Sequence, residues 1–170
     1  MWLASGGAIR AHWTDQIHEE WIRNVVRDYG IARSVLQRVR ELIDQAAGDA
    51  LIGRYRQHER LFPKTHAKDR HVAAAAVAAR KLSRANGVTI VTWNLKDFDR
   101  KELAQAGLSA ESPETFLCRL LASSPEDTVA AFLRMRDNLR NPRKTTRKCA
   151  ETLAAQGLNR FAAAIVAALK

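Results

Sequence analysis

The fold class the sequence predicts is α/β: an open, mostly parallel sheet flanked by helices, followed by an all-helical C-terminal extension. Three observations predict it. Val88 to Thr92 (VTIVT) is a β-branched run without polar alternation, as expected of a parallel strand covered on both faces. An alanine-rich helical pattern stands directly before that strand. Helical periods and short strands alternate up to about residue 122, and only helical patterns follow.

In chain order, residues 8 to 13 (AIRAHW) are short and flanked by Gly6, Gly7 and Thr14, which fits a strand leading into a helix capped by Thr14 or Asp15. Ile17, Trp21, Ile22, Val25 and Val26 then recur at helical spacing up to Gly30. A second helix carries Val35, Leu36, Val39, Leu42 and Ile43 and runs out near Gly48. Ala50 to Tyr55 reads as a strand, and Pro63 with Lys64 to Lys68 as a surface loop. Asp69 begins the alanine-rich helix, whose Val72, Ala73, Ala76, Val77 and Ala79 form a small-residue face, and Gly87 ends it. After VTIVT, Leu108 to Glu111 reads as an edge strand, and Pro113 starts a helix with Phe116, Leu117, Leu120 and Leu121. Beyond Ser123 and Ser124, Pro125, Pro142 and Gly157 punctuate three helical stretches. The expected organisation is a main domain over 1–122 and a basic helical extension over 123–170.

A chain of 170 residues with 46% hydrophobic content buries one good core and a small appended helical unit. The formal charge of +10 makes a polyanion the expected partner, with nucleic acid ahead of membrane, against the alternative of a merely solvated basic surface. Basic residues crowd at Arg134, Arg136, Arg140, Arg143, Lys144, Arg147 and Lys148, with Asp137 the single acid among them. That run either tracks an RNA backbone or forms a solvated or partner-contacting helix face. No apolar run approaches the ~20 residues needed to span a bilayer, and the opening residues lack a long apolar signal core, so a cytoplasmic protein without membrane association is expected. Cys118 and Cys149 suggest neither a zinc site nor a disulfide framework. Neither a phosphate-binding glycine loop, a nucleophile elbow nor a helix-turn-helix signature is present.

Chemistry is most plausible where an open α/β sheet places its ligands, at strand ends and helix starts. Asp69 heads the alanine-rich helix, Asn94 and Asp97 follow the VTIVT strand, and Glu20 lies on the first long helix. Carboxylates converging on one point repel one another unless a cation compensates them, and Mg2+ or Mn2+ suits oxygen donors and phosphodiester hydrolysis. The competing readings are ordinary: Asp69 as a helix N-cap, Glu20 as a solvated charge, Asp97 as a turn cap. Arg70 and His71 beside Asp69 are candidates to contact a scissile phosphate. Trp93 is a candidate for base stacking or for the core, and Trp13 and Trp21 are assigned to packing.

The run DRHVAAAAVAARKLSRANGVTIVTWNLKDF, residues 69 to 98, resembles the second half of PIN-domain ribonucleases, and TDQIHEEWIRNVV, residues 14 to 26, resembles the earlier helix that contributes the family's glutamate. The Asn-Leu-Lys-Asp-Phe variant resembles a VapC-like subgroup with a basic helical extension. What the resemblance implies is a PIN-like fold and a ribonuclease toxin of a type II toxin–antitoxin pair. It further implies Mg2+ or Mn2+ as cofactor, RNA as substrate, a cognate antitoxin as partner, and pairing of two copies as PIN-type proteins often do. The implied metal ligands are Glu20, Asp69 and, after the strand, Asn94 and Asp97; the implied catalytic carboxylates are Glu20, Asp69 and Asp97. The family's aspartate two residues after the strand's threonine is replaced here by Asn94. PIN domains of this kind also open with a central strand ending in Asp-x-Asn-Val-Leu, and no acidic residue precedes Asp15. The expectation is therefore an N-terminally incomplete PIN-like domain of impaired activity, through a late start site, a shortened version of the chain or a real truncation. The alternative is a noncatalytic RNA-binding or antitoxin-binding module.

Overall fold

Thr14 begins the first long helix as the sequence predicts. Its hydroxyl accepts from the Ile17 N–H at 3.2 Å, and Gly30 ends the helix in the left-handed conformation that a residue without Cβ adopts freely. The structure is a computed structural model, and it describes Trp2 to Leu169. Its elements run α1 (Trp2–Ser5), α2 (Asp15–Tyr29), α3 (Arg33–Ala46), α4 (Arg70–Ser83), β1 (Val88–Val91), α5 (Arg100–Gln105), β2 (Leu108–Glu111), α6 (Pro113–Ser123), α7 (Pro125–Asn138), α8 (Thr146–Ala155) and α9 (Asn159–Ala167). Short 3-10 turns occupy Arg56–Leu61 and Leu95–Asp97. The protein is thus a mixture of helix and strand with a small parallel sheet. No helix among the described residues is long and apolar enough to cross a membrane.

The expected open sheet takes the form of two separate parallel pairings. β1 pairs with β2, while the segments expected as strands around residues 8–13 and 50–55 meet only in a bridge between Trp13 and Leu51. That bridge is held by Trp13 N–H to Ala50 O at 3.0 Å and Ile52 N–H to Trp13 O at 2.8 Å. No strand among the described residues pairs with the other edge of β1, so nothing extends either pairing into a continuous sheet.

The chain forms two compact units. One comprises Arg10–Ile90 and Asn94–Ala110; the other comprises Met1–Ile9, Val91–Trp93 and Glu111–Lys170. In the first, α4 is the central helix. Ala73 to Ala79 are buried without interruption, so the helix is enclosed on all sides and is not merely laid on a sheet by one face. Phe62, Ile90, Phe98, Leu103 and Leu108 pack on one side of it, and Ile52 and Tyr55 on another. Arg80 donates to Ala106 O at 3.0 Å, and its guanidinium lies where a Cβ on Gly107 would stand; Gly107 also has φ +71°, so this turn requires glycine. α4 stops at Arg84, in the left-handed region, three residues before the expected Gly87. On α3, Leu36 is buried, but Val35, Val39 and Leu42 of the expected apolar face are exposed.

In the second unit, Leu121, Phe132, Cys149, Leu158, Phe161 and Ile165 form a core among α6, α7, α8 and α9. α6 caps itself with Ser112, whose hydroxyl accepts from Thr115 N–H at 3.1 Å, and Pro113 occupies the first turn. Cys118 and Cys149 are free thiols.

Candidate functional site

Asp69 holds the N-cap position of α4 but makes no capping hydrogen bond. Its carboxylate is therefore not consumed by the role that position usually serves. Oδ2 is buried without a hydrogen-bond partner, and the ring nitrogen Nδ1 of His66 stands 3.8 Å away, beyond hydrogen-bond reach. Burial raises the Asp69 pKa and the negative charge of Asp97 raises it further, against smaller opposing pulls from Lys68, His66 and His71. Asp97 thus lies close enough for its charge to act on Asp69.

Asp97 closes the 3-10 turn that Asn94 opens, its N–H bonded to Asn94 O at 3.1 Å. Lys68 Nζ lies 3.8 Å from its Oδ2. Glu20 makes contacts of its own. Its Oε1 accepts from Gln16 Nε2 at 3.2 Å and lies 3.2 Å from Nε2 of the buried His71. That second contact is close enough for attraction but misses hydrogen-bond geometry, because neither ring nitrogen of His71 has a partner. Arg70 is occupied in holding its own loop, donating to Thr65 O at 3.0 Å and Pro63 O at 2.7 Å.

A residue the sequence reading passed over, Glu102 on α5, fixes the pair's geometry. Buried, it accepts from Lys64 N–H at 2.8 Å, Thr65 N–H at 3.0 Å and the Thr65 hydroxyl at 3.1 Å. His66 N–H then bonds Asp97 O at 2.8 Å. The loop delivering Asp69 is thereby clamped to the segment carrying Asp97. Asp99-x-x-Glu102 has capping-box spacing, and Asp99 does accept from Lys101 and Glu102 N–H at 3.0 and 2.9 Å. That pattern signals the start of α5; nothing local signals that Glu102 reaches a loop 37 residues away.

The donor chemistry of the Asp69–Asp97 pair fits a hard divalent cation, since an uncovered buried carboxylate oxygen beside a second carboxylate is what such an ion relieves. Among the described residues no group of three or more His, Cys, Asp or Glu could hold a metal ion. Asp69 and Asp97 are two carboxylates, the number Mg2+ often takes from protein beside water and phosphate.

The basic residues of the second unit are not one surface. Arg134 lies against Gly6 and leaves no room for a side chain there. Arg136 pairs with Asp137 at 2.7 Å and donates to Thr146 Oγ1 at 2.9 Å. Arg147 and Lys148 both bind Glu151, at 3.1 and 3.2 Å. Arg140, Arg143 and Lys144 lie in the α7–α8 connection. Trp93 is exposed and its ring lies close to Gly157.

Residues 113–167 match the VapC50 C-terminal domain. The match covers about a third of the chain and spans α6 to α9. All the basic positions from Arg134 to Lys148 fall within this VapC50-like segment, whereas the Asp69–Asp97 pair lies outside it. The match relates the helical C-terminal region to that of a VapC toxin. No curated protein and no solved structure matches the chain.

Proposed function

We propose that this chain is a metal-dependent endoribonuclease of a toxin–antitoxin pair, with a PIN-like domain, RNA as substrate and a cognate antitoxin as partner. The observation that carries the reading is the Asp69–Asp97 pair, with a raised Asp69 pKa and a buried oxygen that no donor satisfies. The VapC50-like C-terminal segment supports the toxin–antitoxin context. Asp69 and Asp97 would hold Mg2+ or Mn2+, which when bound supplies charge neutralisation and Lewis acidity toward a scissile phosphate. The chain's own residues set up the pair: Glu102 pins the loop, Arg70 braces it, and Lys68 offsets the Asp97 charge. With two converging carboxylates, slow turnover is expected.

The test is cleavage of a mixed RNA in Mg2+, with a chelator control and the Asp69→Asn and Asp97→Asn variants. Cleavage lost in each control supports the reading; a rate unchanged by Asp69→Asn overturns it. The contact of Glu20 with the buried His71 favours a second reading, a noncatalytic module that binds RNA or an antitoxin. Silence from folded protein that still binds RNA would select that reading.

A further inference from the structure

Within the basic run, a cavity of about 500 Å³ opens at the end of α7 and along the α7–α8 connection, lined by Arg136, Asp137, Leu139, Arg140, Arg143 and Lys144. Its volume is in the range of small-ligand sites, roughly 300–1,000 Å³. Four of the six lining side chains are cationic, and the single acid, Asp137, is already paired with Arg136.

Two features set this place apart from an ordinary solvated basic face. First, Arg140 and Arg143 are opposite each other in an antiparallel bridge around Asn141 and Pro142. Like charges directly opposed across such a bridge repel, and an anion between them removes that penalty. Second, among the described residues no carboxylate is paired with Arg140, Arg143 or Lys144, while Arg147 and Lys148 one turn further on share Glu151. Glu151 is held below its ordinary pKa by hydrogen bonds from Lys148 and Arg147 and by their charges. The run that looks uniform in sequence therefore divides into two cations on α8 that share one carboxylate and three cations around a concavity, Arg140, Arg143 and Lys144, that have none. Guanidinium groups match phosphate oxygens in planar, bidentate fashion, so the ligand this concavity fits is a phosphate chain.

We infer that the cavity binds the phosphate backbone of the RNA substrate through Arg140, Arg143 and Lys144, and that Arg147 and Lys148 act instead as counterions of Glu151. The inference rests on the proposed RNA substrate and adds where its backbone is held.

The experiment uses the full chain carrying Asp69→Asn, so that binding is read without turnover. Affinity for a labelled single-stranded RNA is measured by fluorescence anisotropy from about 50 to 200 mM salt. Arg140→Ala with Arg143→Ala is expected to weaken binding roughly tenfold at the low-salt end and to flatten the salt slope by about 1.4, two contacts at ~0.7 each. Arg147→Ala with Lys148→Ala is expected to stay within about twofold. Equal losses from both pairs, or none from the first, overturn the inference.

A second measurement needs no substitution in the cavity. RNA should protect Arg140 and Arg143, but not Arg147, from an arginine-selective dicarbonyl reagent read by mass spectrometry; equal reactivity with and without RNA overturns the inference. Failure here is distinguishable from failure of the nuclease reading. A chain that binds through the cavity but cuts nothing sinks the nuclease alone, and one that cuts RNA while Arg140 and Arg143 stay reactive sinks the cavity alone.

Discussion

Asp44, near the C-terminal end of α3, and Asp69, at the head of α4, are carboxylates of one unit that have been given opposite surroundings. Asp44 Oδ1 accepts from Trp13 Nε1 at 2.8 Å and from His18 Nε2 at 3.0 Å, and Arg40 Nε approaches Oδ2 at 3.4 Å. Trp21 Nε1 donates to His18 Nδ1 at 3.0 Å, which leaves Nε2 as the nitrogen that carries the proton toward Asp44. Burial pushes the Asp44 pKa up, but the hydrogen bonds from Trp13, His18 and Arg40 outweigh it and leave the carboxyl below its ordinary value. Asp69 has burial and a like charge without compensating donors, and its pKa is raised. One carboxylate is spent on joining two helices and a bridge; the other is left open, as a group that meets a ligand is left open.

The comparison breaks most easily at Asp69. Asp69→Asn should lower RNA cleavage by on the order of 10²-fold, the usual scale for losing one preorganised electrostatic group. Asp44→Asn should leave cleavage within about threefold of the native rate, well inside that scale. Comparable rate losses in the two variants would mean that Asp69 is no more functional than Asp44.

Glu102 sharpens the same contrast, because it is fully bonded like Asp44 but serves the open pair. Glu102→Ala strands the buried Thr65 N–H and should destabilise the protein by about 3 kcal/mol, read by urea unfolding. Glu102→Gln keeps the shape but turns one acceptor into a donor facing backbone N–H groups. It should cut cleavage roughly ten- to a hundredfold, as loss of a supporting partner does elsewhere, with kcat falling and KM little changed. A rise confined to KM would place Glu102 in RNA binding instead. Asp44→Asn, by comparison, should cost about 1–2 kcal/mol.

What the sequence made legible follows the range of the interactions involved. α2 with its Thr14 cap and Gly30 stop, the VTIVT strand, and α6 with Ser112 and Pro113 are specified by neighbours in the chain, and they stand where the local pattern puts them. The 3-10 turn at Arg56–Leu61 and α5 escaped the reading because both are six residues long, too short to show a period. Val35, Val39 and Leu42 read as a core-facing stripe, yet periodicity records that a helix has an apolar face without recording what covers it. The candidate site divides the same way. Asp69 and Asp97 were visible as acids at element boundaries, whereas the Glu102 clamp and the turn of Glu20 toward His71 depend on contacts between segments distant in sequence.

The smallest expected effect is the most specific test, because it depends on sign and not on size. Asp69 has a folded pKa above its unfolded value of about 3.9, so the folded state holds the proton more tightly. Its favourable contribution is complete below that unfolded value and disappears as pH rises through the folded value. Asp44 has a folded pKa below the same reference, so its contribution is present above about 3.9 and disappears as pH falls through the folded value. In chelator, to keep metal ions from stabilising the native carboxylates, Asp69→Asn should therefore raise the thermal midpoint at neutral pH, and the gain should vanish in acid. Asp44→Asn should lower the midpoint at neutral pH, and its charge-dependent loss should shrink in acid. Thermal melts of the three proteins across pH would thus separate in opposite directions from the native curve as pH rises. If the Asp69→Asn curve ran parallel to the native one, the carboxylate would have no raised pKa to lose, and the open pair would be an ordinary solvated one.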